Sequence, residues 1–150
     1  MTEHVLEREQ LIPRQRHEVF AFFSDAHNLE QITPPWLRFS VLTPGPIPMA
    51  AGTLIAYRMS LHGLPIRWLT RIEAFEPQAR FVDVQLRGPY RLWHHTHEFS
   101  EQDGSTLMRD CVRYSLPLGP LGHLAHRALV RRDLAAIFDF RAQAVERLLG

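Results

Sequence analysis

The sequence has little or none of several residue types that carry chemistry. It has a single cysteine, Cys111, so no disulfide can form within the chain. It has no lysine, because all 17 of its basic residues are arginine, and this excludes Schiff-base chemistry through a lysine amine. No apolar run approaches the roughly 20 residues of a membrane-spanning helix, and the polar first ten residues do not resemble a signal peptide. We therefore expect a cytoplasmic protein without a membrane span.

The charges of the chain are nearly balanced. The 17 basic and 16 acidic residues give a net charge of +1, which is too small for the strong positive field of a nucleic-acid-binding protein. We therefore expect no nucleic-acid partner. A chain of 150 residues suits one domain, residues 1–150, and buries about two-thirds of the surface that its unfolded form exposes. Such a core needs neither a disulfide nor a structural metal.

Hydrophobic periodicity predicts an α+β protein. Period-two alternation and turn residues predict strands over residues 3–12, 36–43, 53–61, 66–75, 80–86, 90–99 and 106–116. Helical spacing predicts helices over residues 14–25 and 27–32, and one long helix from about Leu121 to the end of the chain. The predicted apolar stripe of that helix contains Leu121, Leu124, Ala128, Ala135, Phe138, Ala142, Val145 and Leu149. A long helix with one such stripe needs a wide sheet to cover it.

Four stretches of the sequence resemble one known superfamily. They are EVFAFFSDAHNLEQITPPWLRFSVLTPGPIPM, GTLIAYRMSLHGLPIRW, RFVDVQLRGPYRLWHHTHEF and DGSTLMRD. With the element order β-α-α-β6-α, they resemble the SRPBCC or START-like helix-grip superfamily, which includes birch-pollen-allergen-like proteins and polyketide cyclases. Within it they are similar to a bacterial ligand-binding subgroup that is sometimes fused to sugar-nucleotide epimerase-like proteins. The resemblance implies a curved antiparallel sheet of about seven strands around the C-terminal helix, with a cavity between them, but no shared catalytic residues.

The stretch WHHTHEF contains three histidines that strand alternation separates. It places His95 and His97 on the buried face of the sheet, beside Trp93 and Phe99, and His94 on the outer face. For RFVDVQL the two faces compete. Apolar counting favours Val82, Val84 and Leu86 inside, whereas the resemblance favours Phe81, Asp83 and Gln85, and we adopt the second set. The predicted ligand-binding residues are Tyr57, Trp68, Asp83, Gln85, Trp93, His95, His97, Asp110, Tyr114 and Phe138.

The paired histidines allow three kinds of chemistry. His95 and His97 are about 6.8 Å apart along the strand, so they could supply two ligands to zinc, with Asp83 or Asp110 as a third. The sequence does not fix that third position, and we expect no metal and no cofactor. Alternatively, His97 with Asp110, or His95, could act as a catalytic general base. The remaining alternative is a buried network in which aspartates only satisfy the ring N–H groups, and we favour it over catalysis.

These patterns lead to three functional hypotheses. The leading one is a non-catalytic domain that binds a small hydrophobic or aromatic molecule, such as a lipid, quinone or polyketide-like metabolite. It predicts a cavity of several hundred cubic ångströms between the sheet and the terminal helix. The second is a polyketide cyclase or dehydratase that uses a pocket histidine as its base. The third is a protein-interaction or regulatory module whose cavity has collapsed.

Overall fold

The computed structural model describes residues 2–150. The strands are β1 (His4–Ile12), β2 (Ser40–Val41), β3 (Leu54–Leu61), β4 (Leu64–Glu76), β5 (Arg80–Arg87), β6 (Leu92–Gln102) and β7 (Ser105–Ser115). The α-helices are α1 (Arg16–Phe23), α2 (Pro120–Ala125) and α3 (Arg131–Leu149). Two 3₁₀ turns cover Ala26–Gln31 and Pro35–Leu37, and a π-helical turn, His126–Val130, joins α2 to α3.

The strands form one antiparallel sheet in the order β1-β7-β6-β5-β4-β3-β2. Strands β3 to β7 follow one another as hairpins, and β1 pairs with β7 along its whole length, from His4 opposite Tyr114 to Ile12 opposite Thr106. The first and last strands are therefore neighbours, and the segment with α1 and the 3₁₀ turns carries the chain from one edge of the sheet to the other. This arrangement confirms the predicted fold class.

Two tight turns set the register of the hairpins. His62 and Gly63 have φ angles of 50° and 81° between β3 and β4, and Asp103 and Gly104 have 51° and 81° between β6 and β7. Two successive positive φ angles are typical of type I′ turns, whose twist matches that of the flanking strands. The turns thus fix which residues of each strand reach the concave face.

The segment between α1 and β3 contains less regular structure than predicted. The prediction of a strand over residues 36–43 is wrong except at Ser40–Val41. The Pro35–Leu37 turn is 3₁₀, and Arg38 follows it with a φ angle of 48°, a left-handed conformation that interrupts an extended strand. Leu37 in this turn is buried.

The C-terminal helix is long, but the first part of its predicted stripe is wrong. Leu121 and Leu124 are 67% and 62% exposed, and Ala128 is also exposed. The π-helical turn adds a residue relative to an α-helix and so rotates the preceding turns. Gly122 faces inward instead, where a Cβ atom would lie 2.1 Å from the carbonyl oxygen of Pro117. Downstream of the π turn, Phe138 and Val145 are buried as predicted.

The core lies between the concave face of the sheet and the helices. At one end, Phe20 and Phe23 of α1 contact Phe99 of β6 with ring centroids 5.3 Å and 5.7 Å away. At the other end, Val112 of β7 packs with Phe138 of α3. Among the described residues, no helix combines the length and the hydropathy that crossing a bilayer requires.

Candidate functional site

A cavity of about 170 Å³ lies between the sheet and α3. Its walls are mainly apolar side chains from β3, β4, β6, α3 and the 3₁₀ turns. Seven of the ten predicted ligand-binding residues line it, namely Tyr57, Trp68, Asp83, Trp93, His95, His97 and Phe138. The cavity is smaller than the several hundred cubic ångströms that the sequence led us to expect.

Three predicted residues do not line the cavity. Gln85 is held by the β5–β6 connection, because its side chain donates to the carbonyl oxygen of Tyr90 at 2.7 Å and accepts from the Tyr90 amide at 3.0 Å. Tyr114 is hydrogen-bonded through its hydroxyl to Nε2 of His126 at 2.8 Å, at the π-helical turn. Asp110 is hydrogen-bonded through Oδ1 to Nε2 of His95 at 2.8 Å. For these three residues the predicted position in the pocket is wrong, although Asp110 and Tyr114 face inward as alternation indicated.

The wall formed by β6 is a column of stacked rings. His95 and His97, 4% and 3% exposed, have ring centroids 3.7 Å apart. Phe81 of β5 lies opposite His97 in the register and stacks on its other side at 4.1 Å. Residues two apart on a strand share a face, and this places the two imidazoles in contact. The choice of Phe81 and Asp83 as the inward set of β5 agrees with these positions.

The outer histidine of this stretch is not a simple surface residue. His94 is half-buried, and its Nδ1 atom is buried without a hydrogen-bond partner. Its orientation away from the cavity follows the predicted alternation, but its exposure is lower than the prediction required.

Each buried carboxylate hydrogen-bonds the histidine that lies diagonally across the ladder. Asp83 is opposite His95 in the register, yet its Oδ2 accepts from Nε2 of His97 at 2.6 Å. Asp110 is opposite His97, yet its Oδ1 accepts from Nε2 of His95 at 2.8 Å. The pairing of His97 with Asp110 that we predicted is therefore wrong, because Nδ1 of His97 lies 3.4 Å from Asp110 and forms no hydrogen bond there.

Burial and neighbouring charges determine the protonation of this cluster. Burial lowers the pKa of His97 to about 4, His95 acts in the same direction, and the two carboxylates offset this only in part. Burial alone would raise the pKa of Asp83 and Asp110, but basic neighbours outweigh it. At Asp83 the hydrogen bond from His97 lowers the pKa most, and at Asp110 the Arg141 guanidinium does so. Both carboxyl pKa values therefore lie below their usual range. Asp83 and Asp110 are therefore ionised, and His97 is neutral, at neutral pH.

Arg141 is a pocket residue that the sequence analysis missed. Its side chain is 12% exposed and lines the cavity, and the guanidinium lies over the rings of Phe23 and Phe138 at 5.4 Å and 5.8 Å. Its Nε and Nη2 atoms are buried and have no hydrogen-bond partner among residues 2–150, and Nη2 is 3.9 Å from Asp110. Its position in the sequence could have identified it. Arg141 follows Phe138 by three residues and so lies on the apolar stripe of α3, which faces the core and where charged residues are unusual.

The aromatic group beside the histidines, formed by Trp68, Tyr90 and Trp93, is held by its own contacts. The rings of Trp68 and Trp93 meet edge to face at 5.2 Å, and Tyr90 packs on Trp93 at 4.9 Å. The indole N–H of Trp68 donates to the Thr70 hydroxyl at 2.9 Å. These contacts satisfy the only polar atom of the Trp68 ring, so that ring presents an apolar surface to the cavity.

Three polar residues of the cavity wall have the composition of a metal site. Ligand atoms of Asp83, His95 and His97 all lie within 4.8 Å of one another. Of the two aspartates that the sequence left open as a third ligand, the structure places Asp83 in this group. Two imidazoles and one carboxylate are a donor set that first-row transition ions accept.

Comparison of the sequence with models of known families and with curated proteins found no match. Comparison with solved structures found many. An aromatase/cyclase from a Streptomyces species is similar over 98% of this chain and 96% of that chain, with 13% identity and a TM-score of 0.69. A START superfamily protein from Mycobacterium smegmatis is similar over 97% of both chains, with 13% identity and a TM-score of 0.68.

The chain has the helix-grip fold. The resemblance to START-like and cyclase-like proteins inferred from the sequence is confirmed at the level of structure. A nucleoside-diphosphate sugar epimerase from Corynebacterium glutamicum is also similar, with 25% identity and a TM-score of 0.66. That match covers 95% of this chain but only 28% of the longer protein, so the helix-grip unit corresponds to a minor part of it.

Proposed function

We propose that this helix-grip protein binds a small hydrophobic or aromatic molecule in the cavity between the sheet and α3. The observation that supports this most directly is the cavity itself, whose walls are mainly apolar and aromatic and whose charged or ionisable polar groups include Asp83, His95, His97 and Arg141. Enclosed apolar space with a few convergent polar groups is the usual composition of a small-molecule site. Helix-grip proteins typically bind hydrophobic ligands, which agrees with this use of the cavity.

The size of the cavity narrows the ligand class. A cavity of about 150 Å³ holds a molecule such as benzene, and the present cavity measures about 170 Å³. We infer a ligand with one or two fused rings in preference to a long-chain lipid. Because the side chains of residues 2–150 do not fill this cavity, we do not adopt the alternative of an interaction module with a collapsed cavity.

The unpartnered donors of Arg141 indicate a polar feature of the ligand. A buried guanidinium with free N–H groups is unfavourable unless an acceptor reaches it. A ligand oxygen, from a carboxylate, a phenol or a carbonyl group, would provide that acceptor. The ligand would then place its rings against Trp68 and Trp93 and its oxygen towards α3.

Isothermal titration calorimetry with 2-naphthol and 2-naphthoate tests this function. We expect saturable binding of at least one probe, and its loss in Leu61→Trp, because Leu61 lines the cavity and the larger ring fills it. The matched control is Leu64→Trp, which makes the same change at the paired position of the same hairpin, where the side chain is 66% exposed. Equal binding by wild type and Leu61→Trp, with both folded, would place the probe outside the cavity and contradict the proposal.

A second candidate function is acid–base catalysis, since His95 and His97 both line the cavity and one structural relative is an aromatase/cyclase. The pKa of about 4 at His97 makes this ring a weak base at neutral pH, and an effective general base has a pKa near the working pH. For this reason we prefer the binding function. Deuterium exchange at the α-protons of 2-tetralone, followed by NMR, separates the two. Exchange that wild type accelerates and His95→Gln does not would favour the enzyme.

A further inference from the structure

We propose that Asp83, His95 and His97 bind a divalent first-row transition-metal ion at the wall of the cavity, with Asp110 as the carboxylate that orients both histidines. This inference goes beyond the proposed function, and it does not depend on the identity of the organic ligand. The ion would be held by Oδ2 of Asp83, Nδ1 of His95 and Nε2 of His97.

The positions of these donor atoms fit one ion. Oδ2 of Asp83 is 2.6 Å from Nε2 of His97 and 3.8 Å from Nδ1 of His95. Two donors that each lie about 2.1 Å from a tetrahedral ion are roughly 3.4 Å apart, and the two observed distances lie on either side of this value. Small rotations of the side chains are therefore enough to bring the donors to one ion.

The second nitrogen of each ring supports the same assignment. Metal-binding histidines usually donate their other N–H to a carboxylate, a backbone carbonyl or water, which fixes the tautomer and the ring orientation. The other nitrogens here are Nε2 of His95 and Nδ1 of His97, and both face Oδ1 of Asp110, at 2.8 Å and 3.4 Å. One buried carboxylate thus stands behind both candidate ligands.

The orphaned nitrogen of His97 is the observation that a purely structural network leaves unexplained. With its proton on Nε2, His97 donates to Asp83 but presents the lone pair of Nδ1 towards the Asp110 carboxylate, and this atom has no hydrogen-bond partner in the described part of the chain. Metal binding at Nε2 would shift the proton to Nδ1, where Asp110 can accept it. The bound form therefore pairs an atom that the metal-free form leaves unpaired.

Charge and access also favour a cation at this position. Asp83 and Asp110 carry two negative charges, and Arg141 supplies one positive charge nearby. The net charge of these three groups is −1, which favours binding of a cation. Asp83, His95 and His97 all line the cavity, so positions on the ion not taken by the protein would be open to water or to a ligand oxygen. The mixed nitrogen and oxygen donors select Zn²⁺, Fe²⁺ or Co²⁺ over Mg²⁺ and Ca²⁺.

Titration of the chelator-treated, tag-free full chain with Co²⁺ and Zn²⁺ tests the site. We expect one ion per chain by calorimetry, with visible d–d absorption for Co²⁺ that Zn²⁺ abolishes by competition. Asp83→Asn keeps an acceptor for His97 but removes the anionic ligand, and we expect its affinity to fall at least tenfold, as in His97→Gln. Asp110→Asn should weaken binding about 10- to 100-fold and alter the Co²⁺ spectrum, as a positioning residue would.

Two control variants complete the experiment. His94→Gln changes the neighbouring ring on the same strand and should leave the affinity unchanged. His123→Gln removes one ring of a second histidine cluster. In that cluster the ring centroid of His4 lies 3.5 Å from that of His126 and 6.0 Å from that of His123. The proposal is overturned if neither ion binds, or if either ligand variant, Asp83→Asn or His97→Gln, is folded and keeps wild-type affinity. Loss of binding in His123→Gln alone would assign the ion to the second cluster and also overturn it. Thermal melts establish which variants are folded, and either ligand variant alone is sufficient for the test.

Discussion

The imidazole rings of His95 and His97 stack with their centroids 3.7 Å apart. Two protonated rings at this distance would repel each other strongly in a buried site. Each of the two carboxylates lies at the edges of both rings: Asp83 is beside Nε2 of His97 and Nδ1 of His95, and Asp110 is beside Nε2 of His95 and Nδ1 of His97. Burial and the neighbouring His95 ring both lower the pKa of His97, so a variant of His95 is expected to change the pKa of His97.

Arg141 should discriminate between ligands by their oxygen chemistry. In Arg141→Met we expect the affinity for 2-naphthoate to fall about tenfold or more, because a hydrogen bond to a charged group is worth about 1.5–3 kcal/mol. The affinity for 2-naphthol should fall less. Calorimetry on both probes measures the difference. Arg147→Met, on the exposed side of the same helix, is the matched control and should change neither value. An equal loss for both probes would indicate that Arg141 only shapes the cavity.

Acid should destabilise the metal-free protein through His97. Its pKa is about 4 in the folded state and about 6.5 in the unfolded chain. The unfolded state therefore binds more protons between these values, and stability is lost as the pH falls from 6.5 towards 4. The loss from this residue is about 3 kcal/mol when complete. Asp83 and Asp110, whose pKa values are lowered, extend the loss below pH 4.

Urea denaturation between pH 7 and pH 4 in the presence of a chelator measures this effect. His97→Gln should have a flatter dependence than wild type over that interval. A parallel dependence in the two proteins would show that His97 does not titrate as its surroundings require.

Removal of Asp110 should be costly. Asp110→Ala deprives the buried His95 of its acceptor and leaves Arg141 without its nearest anion, and removing one partner from a buried pair costs about 3–5 kcal/mol. Asp139→Ala is the comparison, because Asp139 is 60% exposed in its pair with Arg8 and should cost at most about 1 kcal/mol. Chemical denaturation of both variants at pH 7 gives the two values. Similar costs would contradict the buried role of Asp110.

The His62–Asp133 contact should control access to the cavity. Nε2 of His62 lies 2.7 Å from Oδ2 of Asp133, and this pair joins the β3–β4 turn to α3 beside two residues that line the cavity, Leu61 and Leu134. In His62→Ala we expect faster association and dissociation of 2-naphthol in stopped-flow fluorescence. The equilibrium constant should change less than about fivefold, because exposed pairs contribute little. His17→Ala, an exposed histidine on α1, should leave both rates as they are.

The sequence predicted the fold class and the inward face of most strands. Alternation with a period of two correctly placed Trp68, His95, His97 and Asp110 on the buried face of the sheet. It could do so because a sheet with one buried and one solvated face requires apolar and polar residues to alternate. Alternation did not decide β5, where apolar counting favoured Val82 and Val84 inside and only the family resemblance indicated Asp83.

Alternation could not predict which side chains meet. It assigned His97 to Asp110, its neighbour in the ladder, whereas the side chains reach diagonally and His97 bonds to Asp83. Such a choice depends on rotamers and strand twist, which are not encoded in a binary pattern. Arg141 was missed for a related reason, since a charged residue on a helix is assigned to solvent unless its neighbours on the same stripe are considered.

The π-helical turn separates the C-terminal helix into two parts that are out of phase. Leu134 and Phe138, after the turn, line the cavity, whereas Leu121 and Leu124, before it, are exposed to solvent. Substitutions in the first part can therefore accumulate without altering the ligand site. Deletion of one residue from His126–Val130 would restore a continuous α-helix and swing the outer leucines by about 100°. The length of this turn therefore determines which face of α2 is exposed to solvent.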